Sequence, residues 1–91
     1  MSKNLIMFSL NGCGFCENIK KRLHNESISF TEYEINEYPD LWSQIVSQTN
    51  SEYVPVFFIK EENSTSGQVL CPIIDYNDED TIMKLLGEYL V

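Results

Sequence analysis

The sequence predicts one α/β domain, in which a four-stranded mixed sheet is flanked by three helices. Two apolar runs, at 5–9 and 54–59, are typical of central strands that are buried on both faces. The first run is followed by a stretch with helical spacing and then by an alternating stretch, which together make a βαβ unit with two parallel strands. The order of elements is β-α-β-α-β-β-α over residues 1–91, which leaves no room for a second core.

Three stretches place apolar residues at helical spacing. The predicted helices run from Cys13 to about Glu26, from Pro39 to Asn50, and onward from a cap at Asn77 or Asp78. Proline is tolerated at a helix start, asparagine serves as a left-handed stop, and asparagine and aspartate are preferred N-caps. Residue type therefore predicts where the second helix begins and ends and where the third helix begins.

The two remaining strands are predicted at the edges of the sheet. Residues 28–35 alternate apolar and polar side chains, which is typical of a half-exposed strand. Residues 60–67 form a polar loop, after which 68–72 return as an antiparallel strand. Pro55 stands near the beginning of the central strand 54–59, where its missing N–H is tolerated.

The charge of the chain disfavours one class of partner. Fourteen carboxylates against six Lys and Arg give a net charge of −8, whereas nucleic-acid binding requires the neutralisation of phosphates. An acidic surface serves solubility, and it also suits a basic protein partner. The cluster Lys20-Lys21-Arg22 is a local exception, predicted to lie on a solvated helix face.

The cysteine count and the hydropathy pattern indicate a compartment. Three cysteines are too few, and odd in number, for the disulfide framework of a small secreted domain. No segment approaches the roughly 18 apolar residues of a membrane span. Only four apolar residues follow the N-terminal Met-Ser-Lys-Asn, too few for a signal-peptide core. We therefore expect a cytoplasmic protein in a reducing environment, away from the membrane.

Cys13 and Cys16 form a dithiol at the junction between the first strand and the first helix. Residues three apart in a helix share one face, with Cβ atoms roughly 5–6 Å apart, and a disulfide requires about 3.5–4.5 Å. A modest tightening of the first turn would thus close a reversible disulfide. Unpaired N–H groups at the helix start favour a thiolate on Cys13, whereas Cys16 lies one turn inside. Cys13 is the predicted nucleophile and Cys16 the resolving thiol.

Other interpretations of these cysteines remain open at this stage. A structural zinc site requires four ligands, and only Cys71 and His24 remain as further candidates. The pair could instead be inert core thiols, or the domain a redox-inactive binding module. Cys71 alone is predicted to be a small core or edge-strand residue rather than a third catalytic thiol.

The chain resembles the glutaredoxins of the thioredoxin-like superfamily over nearly its whole length. The resemblance is carried by Phe8-Ser9, Cys13-Gly14-Phe15-Cys16, Val54-Pro55 and the strand that follows, in that order along the chain. It implies the thioredoxin-like fold and a thiol–disulfide oxidoreductase that uses glutathione to reduce protein disulfides or glutathione mixed disulfides. The implied partners are glutathione and disulfide-containing or glutathionylated proteins, and the implied state is a monomer.

The resemblance also implies a glutathione site around the dithiol. Pro55 should be cis and packed against the dithiol, and the backbone of Val54 should pair with the cysteinyl part of glutathione like an added strand. The set of expected contacts is Phe15, Tyr53, Val54, Pro55, Asp78 and Glu79. In this set Phe15 is the aromatic residue beside the reactive sulfur, and the two acidic residues would receive the glutathione amino group.

Three positions depart from the family pattern. Leu10 stands where a lysine is common, Trp42 falls where a glutathione-binding Arg or Gln is frequent, with Gln44 nearby, and Cys71–Asp78 replaces a Gly-Gly turn. Thioredoxin reductase is therefore an alternative electron donor. With Leu10 in place of the lysine, a Cys13 thiolate would depend mainly on the helix start, with Lys20 or Lys21 as minor helpers.

The glycine at position 14 adds a second functional hypothesis. Cys-Gly-Phe-Cys differs by one residue from the Cys-Gly-Phe-Ser motif of monothiol glutaredoxins. That resemblance implies a [2Fe–2S] cluster shared by two subunits and bound through Cys13 and glutathione. The protein would then be a cluster scaffold or carrier, and no other metal ligand is expected.

Overall fold

The computed structural model of the protein describes residues 3–61 and 67–90. The four strands are β1 (Lys3–Ser9), β2 (Thr31–Glu34), β3 (Val56–Glu61) and β4 (Gly67–Leu70), in the spatial order β2-β1-β3-β4. β1 is parallel to β2 and antiparallel to β3, which in turn is antiparallel to β4. The predicted mixed sheet, with the two apolar strands at its centre, is confirmed.

The three helices are α1 (Gly14–Asn25), α2 (Pro39–Thr49) and α3 (Glu79–Tyr89). Their ends follow the predicted signals. Cys13 is the N-cap of α1, Asn50 ends α2 in the left-handed conformation, and Asp78 rather than Asn77 is the N-cap of α3. The Asp78 carboxylate accepts a hydrogen bond from the Thr81 N–H at 2.7 Å, which satisfies one of the free donors at the helix start.

The apolar side chains form one cluster on each face of the sheet. The larger cluster joins α1 and α3 to the sheet through Met7, Ile19, Phe57 and Leu86. The smaller cluster contains Phe8, Ile45 and Val56, with Trp42 packed against it, and lies between α2 and the opposite face. Because β1 contributes to both clusters, its continuous apolar run is explained.

The bounds of all four strands differ from the predictions, and β1 begins at Lys3 instead of residue 5. The second strand is limited to Thr31–Glu34 because residues 27–28 belong to the turn that leaves α1, with Ser27 left-handed and the Ile28 N–H donating to Leu23. β3 begins at Val56, since proline at 55 has no N–H for the ladder. β4 covers 67–70 instead of 68–72, and Pro72 makes only an isolated bridge to Tyr76. The predicted polar loop 60–67 is too long, because Lys60 and Glu61 belong to β3 and Gly67 begins β4. Its remaining part, 62–66, lies outside the described residues.

Candidate redox site

The turn between β1 and α1 places Cys13 just beyond the C-terminal end of the central strand β1. Gly12 has a φ of +87°, a conformation that glycine adopts without steric cost. The Cys13 N–H donates to the Leu10 carbonyl at 3.1 Å and closes the turn. The helix then starts at Gly14, so the sequence predicts both the turn and the position of the first thiol correctly.

The two thiols of the motif lie in different environments. All cysteines are free, Cys13 is half-buried, and Cys16 has 0% of its surface exposed. The Cys13 Sγ accepts a hydrogen bond from the Cys16 N–H at 3.1 Å. A sulfur in this position also faces the positive end of the helix dipole, and both interactions stabilise negative charge on it. The predicted difference in exposure between the two thiols is confirmed.

Burial sets the protonation of the other two cysteines. Burial, and next the hydrogen bond with Cys13, raise the pKa of Cys16 to about 12, so Cys16 is a thiol at neutral pH. Burial also raises the pKa of Cys71, with a further contribution from the Asp75 carboxylate. Cys71 is 4% exposed at the end of β4, which confirms it as a small core residue.

A shallow groove of about 180 Å³ lies beside the dithiol turn. Three expected glutathione contacts meet in its lining: Phe15, Val54 and Pro55. The Val54–Pro55 peptide bond is cis, as the resemblance implies. The far wall is formed by the segment 72–77, which occupies the place of the missing Gly-Gly turn. Cys13 and Phe15 both pack against the larger core cluster, so the groove rests on a rigid base.

The other expected contacts lie outside this groove. Tyr53 is 61% exposed and lines a neighbouring, larger groove. Asp78 is exposed and caps α3, while the Glu79 carboxylate accepts from the Asn18 side chain at 3.1 Å and lies 3.9 Å from Arg22. Neither carboxylate lines the groove beside Phe15, and both already bind groups of this chain.

Tyr76 is a site residue that the sequence analysis missed. It is buried beneath the groove, where its ring packs 6.1 Å from that of Phe15 and 6.3 Å from that of Phe57, between centroids. Its hydroxyl donates a hydrogen bond to the Pro55 carbonyl. Burial is the main cause that raises its pKa, so the hydroxyl keeps its proton. A tyrosine within the polar stretch Asp75–Asp78 carried no periodic signal that could have identified it.

Glu34 is a second residue that sequence reasoning did not find. Its carboxylate is buried at the end of β2 and accepts from the Asn11 N–H at 2.9 Å and from the Asn36 N–H at 2.7 Å. These bonds, that of Asn11 first, lower the pKa of Glu34. The ionised carboxylate therefore fastens the turn before Cys13 to the neighbouring strand.

The sequence predicted a solvated helix face for Lys20, and this prediction is wrong in part, because Lys20 is only partly exposed. Its ammonium group lies 2.9 Å from both the Glu17 and the Glu32 carboxylates, and these contacts raise the pKa of Lys20. Because its ammonium group is already paired with two carboxylates, Lys20 does not fit the predicted role of minor helper to a Cys13 thiolate. The same Glu32 carboxylate accepts from the Ser9 hydroxyl at 2.5 Å.

Trp42 and Gln44, the positions in the second helix that were named from the family pattern, also lie outside the groove beside the dithiol. Trp42 packs 6.0 Å from the Phe8 ring in the smaller cluster. Gln44 lines a groove of about 300 Å³ between α2 and the sheet, together with Ile6 and Phe58. Neither side chain lines the groove beside Phe15.

Within 3–61 and 67–90, no group of three or more His, Cys, Asp or Glu side chains is arranged to hold a metal ion. His24, one of the ligands considered for zinc, packs 5.7 Å from the ring of Phe30 instead. None of the helices in the described part of the chain is both long and apolar enough to cross a membrane.

A half-exposed cysteine capping a helix, with a buried second thiol three residues on, defines a thiol–disulfide oxidoreductase of thioredoxin fold. Two solved structures show the same fold. Mitochondrial thioredoxin 3 from Saccharomyces cerevisiae has a TM-score of 0.58 at 21% identity, over 96% of this chain and 78% of its own. Thioredoxin O2 from Arabidopsis thaliana has a TM-score of 0.60 at 17% identity, over 99% of this chain and 76% of its own.

The family is established by sequence. The glutaredoxin family model matches residues 5–63, which include the dithiol, the cis-proline and β3. The chain therefore belongs to the glutaredoxin family. No curated protein matches it.

Proposed function

We propose that the protein is a glutathione-dependent glutaredoxin that reduces protein disulfides or glutathione mixed disulfides through Cys13 and Cys16. The single observation that carries the proposal is the contrast between the two thiols, one half-exposed at a helix start and one buried and protonated. Only a thiolate attacks a disulfide efficiently, so the exposed and better stabilised sulfur acts first.

The reaction proceeds in two exchanges. The Cys13 thiolate attacks one sulfur of the substrate disulfide, forms a mixed disulfide and releases the other substrate sulfur as a thiolate, which takes up a proton. The Cys16 sulfur then attacks Cys13, loses its own proton and releases the second substrate thiol. The substrate has gained two electrons and two protons, and Cys13–Cys16 is a disulfide that two glutathione molecules reduce.

The groove beside the dithiol supports glutathione as the electron donor. Val54 offers its backbone to an extended tripeptide, and Pro55 and Phe15 offer apolar surface beside it. Tyr53, Asp78 and Glu79 remain proposed contacts from neighbouring positions. The same chemistry fits a monomer that works in a reducing compartment such as the cytoplasm, where disulfides are kept reduced.

An assay of β-hydroxyethyl disulfide reduction, coupled through glutathione to glutathione reductase, tests the proposal. We expect turnover that Cys13→Ser abolishes and that Cys71→Ser, a matched control at the buried third thiol, leaves intact. Equal rates for Cys13→Ser and the parent protein would refute the proposed enzymatic activity. Activity with thioredoxin reductase but none with glutathione would instead identify a glutaredoxin-like protein with the other electron donor.

A second candidate function is favoured by the space around Gly14. A Cβ added there would meet no atom within 4 Å, so the helix start beside Cys13 is open. Cys13 and glutathione would hold a [2Fe–2S] cluster, which the protein would then store or deliver. Anaerobic incubation with glutathione, iron and sulfide should give a brown dimer if this is correct, and a colourless monomer if it is wrong.

A further inference from the structure

The segment after β4 exposes two isoleucines to solvent, next to the groove beside the dithiol. Ile73 and Ile74 are 60% and 65% exposed, and with Tyr53 they are three of the five large apolar side chains exposed among the described residues. Isolated exposed apolar residues are common in soluble proteins, but a contiguous set is typical of a binding surface. These three line one groove of about 810 Å³, which we name the lateral groove.

The backbone of this segment is held in an unusual conformation. Ile73 has a φ of +73°, which β-branched residues rarely adopt. Its N–H donates to the Tyr76 carbonyl at 2.7 Å, and the Asp75 carboxylate accepts from the Cys71 N–H at 2.7 Å. These bonds fix the turn, so the two isoleucines are presented in a defined position and not on a loose loop.

The lateral groove adjoins the groove beside the dithiol. Pro72 and Ile73 line both of them. A substrate chain that extends from Cys13 along Val54 and Pro55 would reach Pro72 and Ile73 at this shared border. The surface is therefore placed to contact the residues that flank a substrate cysteine.

The charges around the two grooves are of one sign. The only ionisable carboxylate in the lining of the lateral groove is Glu52, and Asp75 and Asp78 lie in the adjoining segment. All six Lys and Arg of the chain belong to the described residues, and none of them lines either groove. Such an arrangement attracts a basic partner and repels an acidic one.

We propose that the lateral groove binds the polypeptide segment flanking the reacting cysteine of a protein disulfide, and that it selects an apolar side chain next to a basic one. The inference rests on the proposed function and names its substrate class. Ile74 and Glu52 carry the selection, and neither belongs to the residues that bind glutathione or react. Two electrons pass from Cys13 and Cys16 to the peptide disulfide, which becomes two thiols, while the enzyme becomes the disulfide.

A single-turnover experiment tests the selection without any glutathione. The probes are synthetic peptides closed by one disulfide, in which Leu-Lys, Ser-Lys or Leu-Glu adjoins one cysteine. Reduced enzyme is mixed with each peptide, the reaction is stopped with acid, and the products are measured by mass. We expect the Leu-Lys peptide to react about tenfold faster than Ser-Lys and about fivefold faster than Leu-Glu.

Two exposed substitutions serve as the structural test. Ile74→Ser should remove the advantage of leucine over serine, and Glu52→Lys should reverse the preference between lysine and glutamate. Both variants should reduce β-hydroxyethyl disulfide at the parental rate, since that probe has no flanking residues. A peptide preference that is absent from the parent protein, or that survives both substitutions, would overturn the proposal.

The remaining outcomes separate this inference from the proposed function. Peptide selection that is intact while glutathione fails to regenerate the enzyme would support the groove and refute glutathione dependence. A folded, reduced enzyme that reacts with no peptide would overturn both. Dimerisation that Ile74→Ser abolishes, measured by sedimentation, would assign the groove to a second copy of the chain and refute a substrate segment there.

Discussion

The turn before the dithiol, at 10–13, and the segment after β4, at 71–78, are stabilised in different ways. The first is short, has glycine at its left-handed position, and is fastened to β2 through Glu34. The second has isoleucine at its left-handed position and is anchored from below by the buried ring of Tyr76. One is unstrained and carries the reacting sulfur, and the other is strained and carries exposed apolar side chains.

The difference indicates a division of tasks between the two segments. A nucleophile must be held within a fraction of an ångström, and ionic hydrogen bonds to backbone N–H groups hold a turn in that way. A recognition surface requires apolar side chains in water, which only a firm anchor elsewhere can keep in place. The predictions below test each anchor separately.

The largest effect is expected at Tyr76. Tyr76→Ala should lower the free energy of unfolding by about 4 kcal/mol, as large-to-small changes in a core do. Tyr76→Phe should cost about 1–2 kcal/mol, because only the hydrogen bond to the Pro55 carbonyl is lost. Urea denaturation gives both values. Tyr53→Ala, at an exposed tyrosine of the neighbouring lateral groove, is the control and should change stability by less than about 0.5 kcal/mol.

Alkaline pH should weaken both segments, because each covers one buried acid with a raised pKa. Cys16 has a pKa of about 12 in the folded protein against an ordinary value of 9.0, and the pKa of Tyr76 is raised above 10.0. The folded state keeps these protons where the unfolded state has lost them, so stability is full below pH 9 and falls as pH rises from there. Each group contributes a slope of about 1.4 kcal/mol per pH unit.

The slopes can be assigned by substitution in the reduced protein. Cys16→Ala should remove the part that begins near pH 9, and Tyr76→Phe the part that begins near pH 10. Equal slopes in the parent protein and in both variants, measured by thermal unfolding between pH 8 and 11, would contradict burial as the cause of the raised pKa values.

The sequence predicted the first segment better than the second. Glycine, the cysteine spacing and the apolar run at 5–9 are local signals, and the structure places Gly12, Cys13 and Cys16 where they indicate. No local signal marks Tyr76, whose partners Phe15 and Pro55 are distant in sequence. Glu34 was equally hidden, since an alternating strand predicts only which face a residue occupies, not that a carboxylate there accepts from Asn11.

The predicted strand boundaries were wrong for a related reason. Alternation at 28–35 continued into the turn that leaves α1, where a left-handed Ser27 redirects the chain. At 68–72 the apolar pattern continued past the end of β4, because Leu70 and Cys71 are buried whether or not they pair with a strand. Burial and strand pairing give the same sequence pattern at these positions, and only the tertiary structure separates them.

A smaller effect is expected at Glu34. Glu34→Gln keeps one acceptor oxygen in place of two, so it cannot hold the N–H groups of Asn11 and Asn36 together. Hydrogen exchange of the Asn11 amide, measured by NMR, should become about tenfold faster, while Glu37→Gln, at an exposed neighbouring glutamate, should leave it unchanged. In the parent protein the hydrogen bonds lower the pKa of Glu34 below 4.5, so this protection persists above that pH and is lost as pH falls through the lower folded value.

The smallest effect is expected at Ile73, the left-handed residue of the segment 71–78. It tests most directly whether this segment is strained. Asparagine tolerates a positive φ far better than isoleucine, so Ile73→Asn should stabilise the protein by about 1 kcal/mol. Ile74→Asn, next to it but without a positive φ, is the control and should change stability by less than about 0.5 kcal/mol. If urea denaturation shows no gain for Ile73→Asn, the segment is not strained, and its two isoleucines are exposed without conformational cost. If the gain is found and the Leu-Lys peptide also reacts more slowly, the protein keeps a less stable turn because that turn presents the apolar side chains that the substrate contacts.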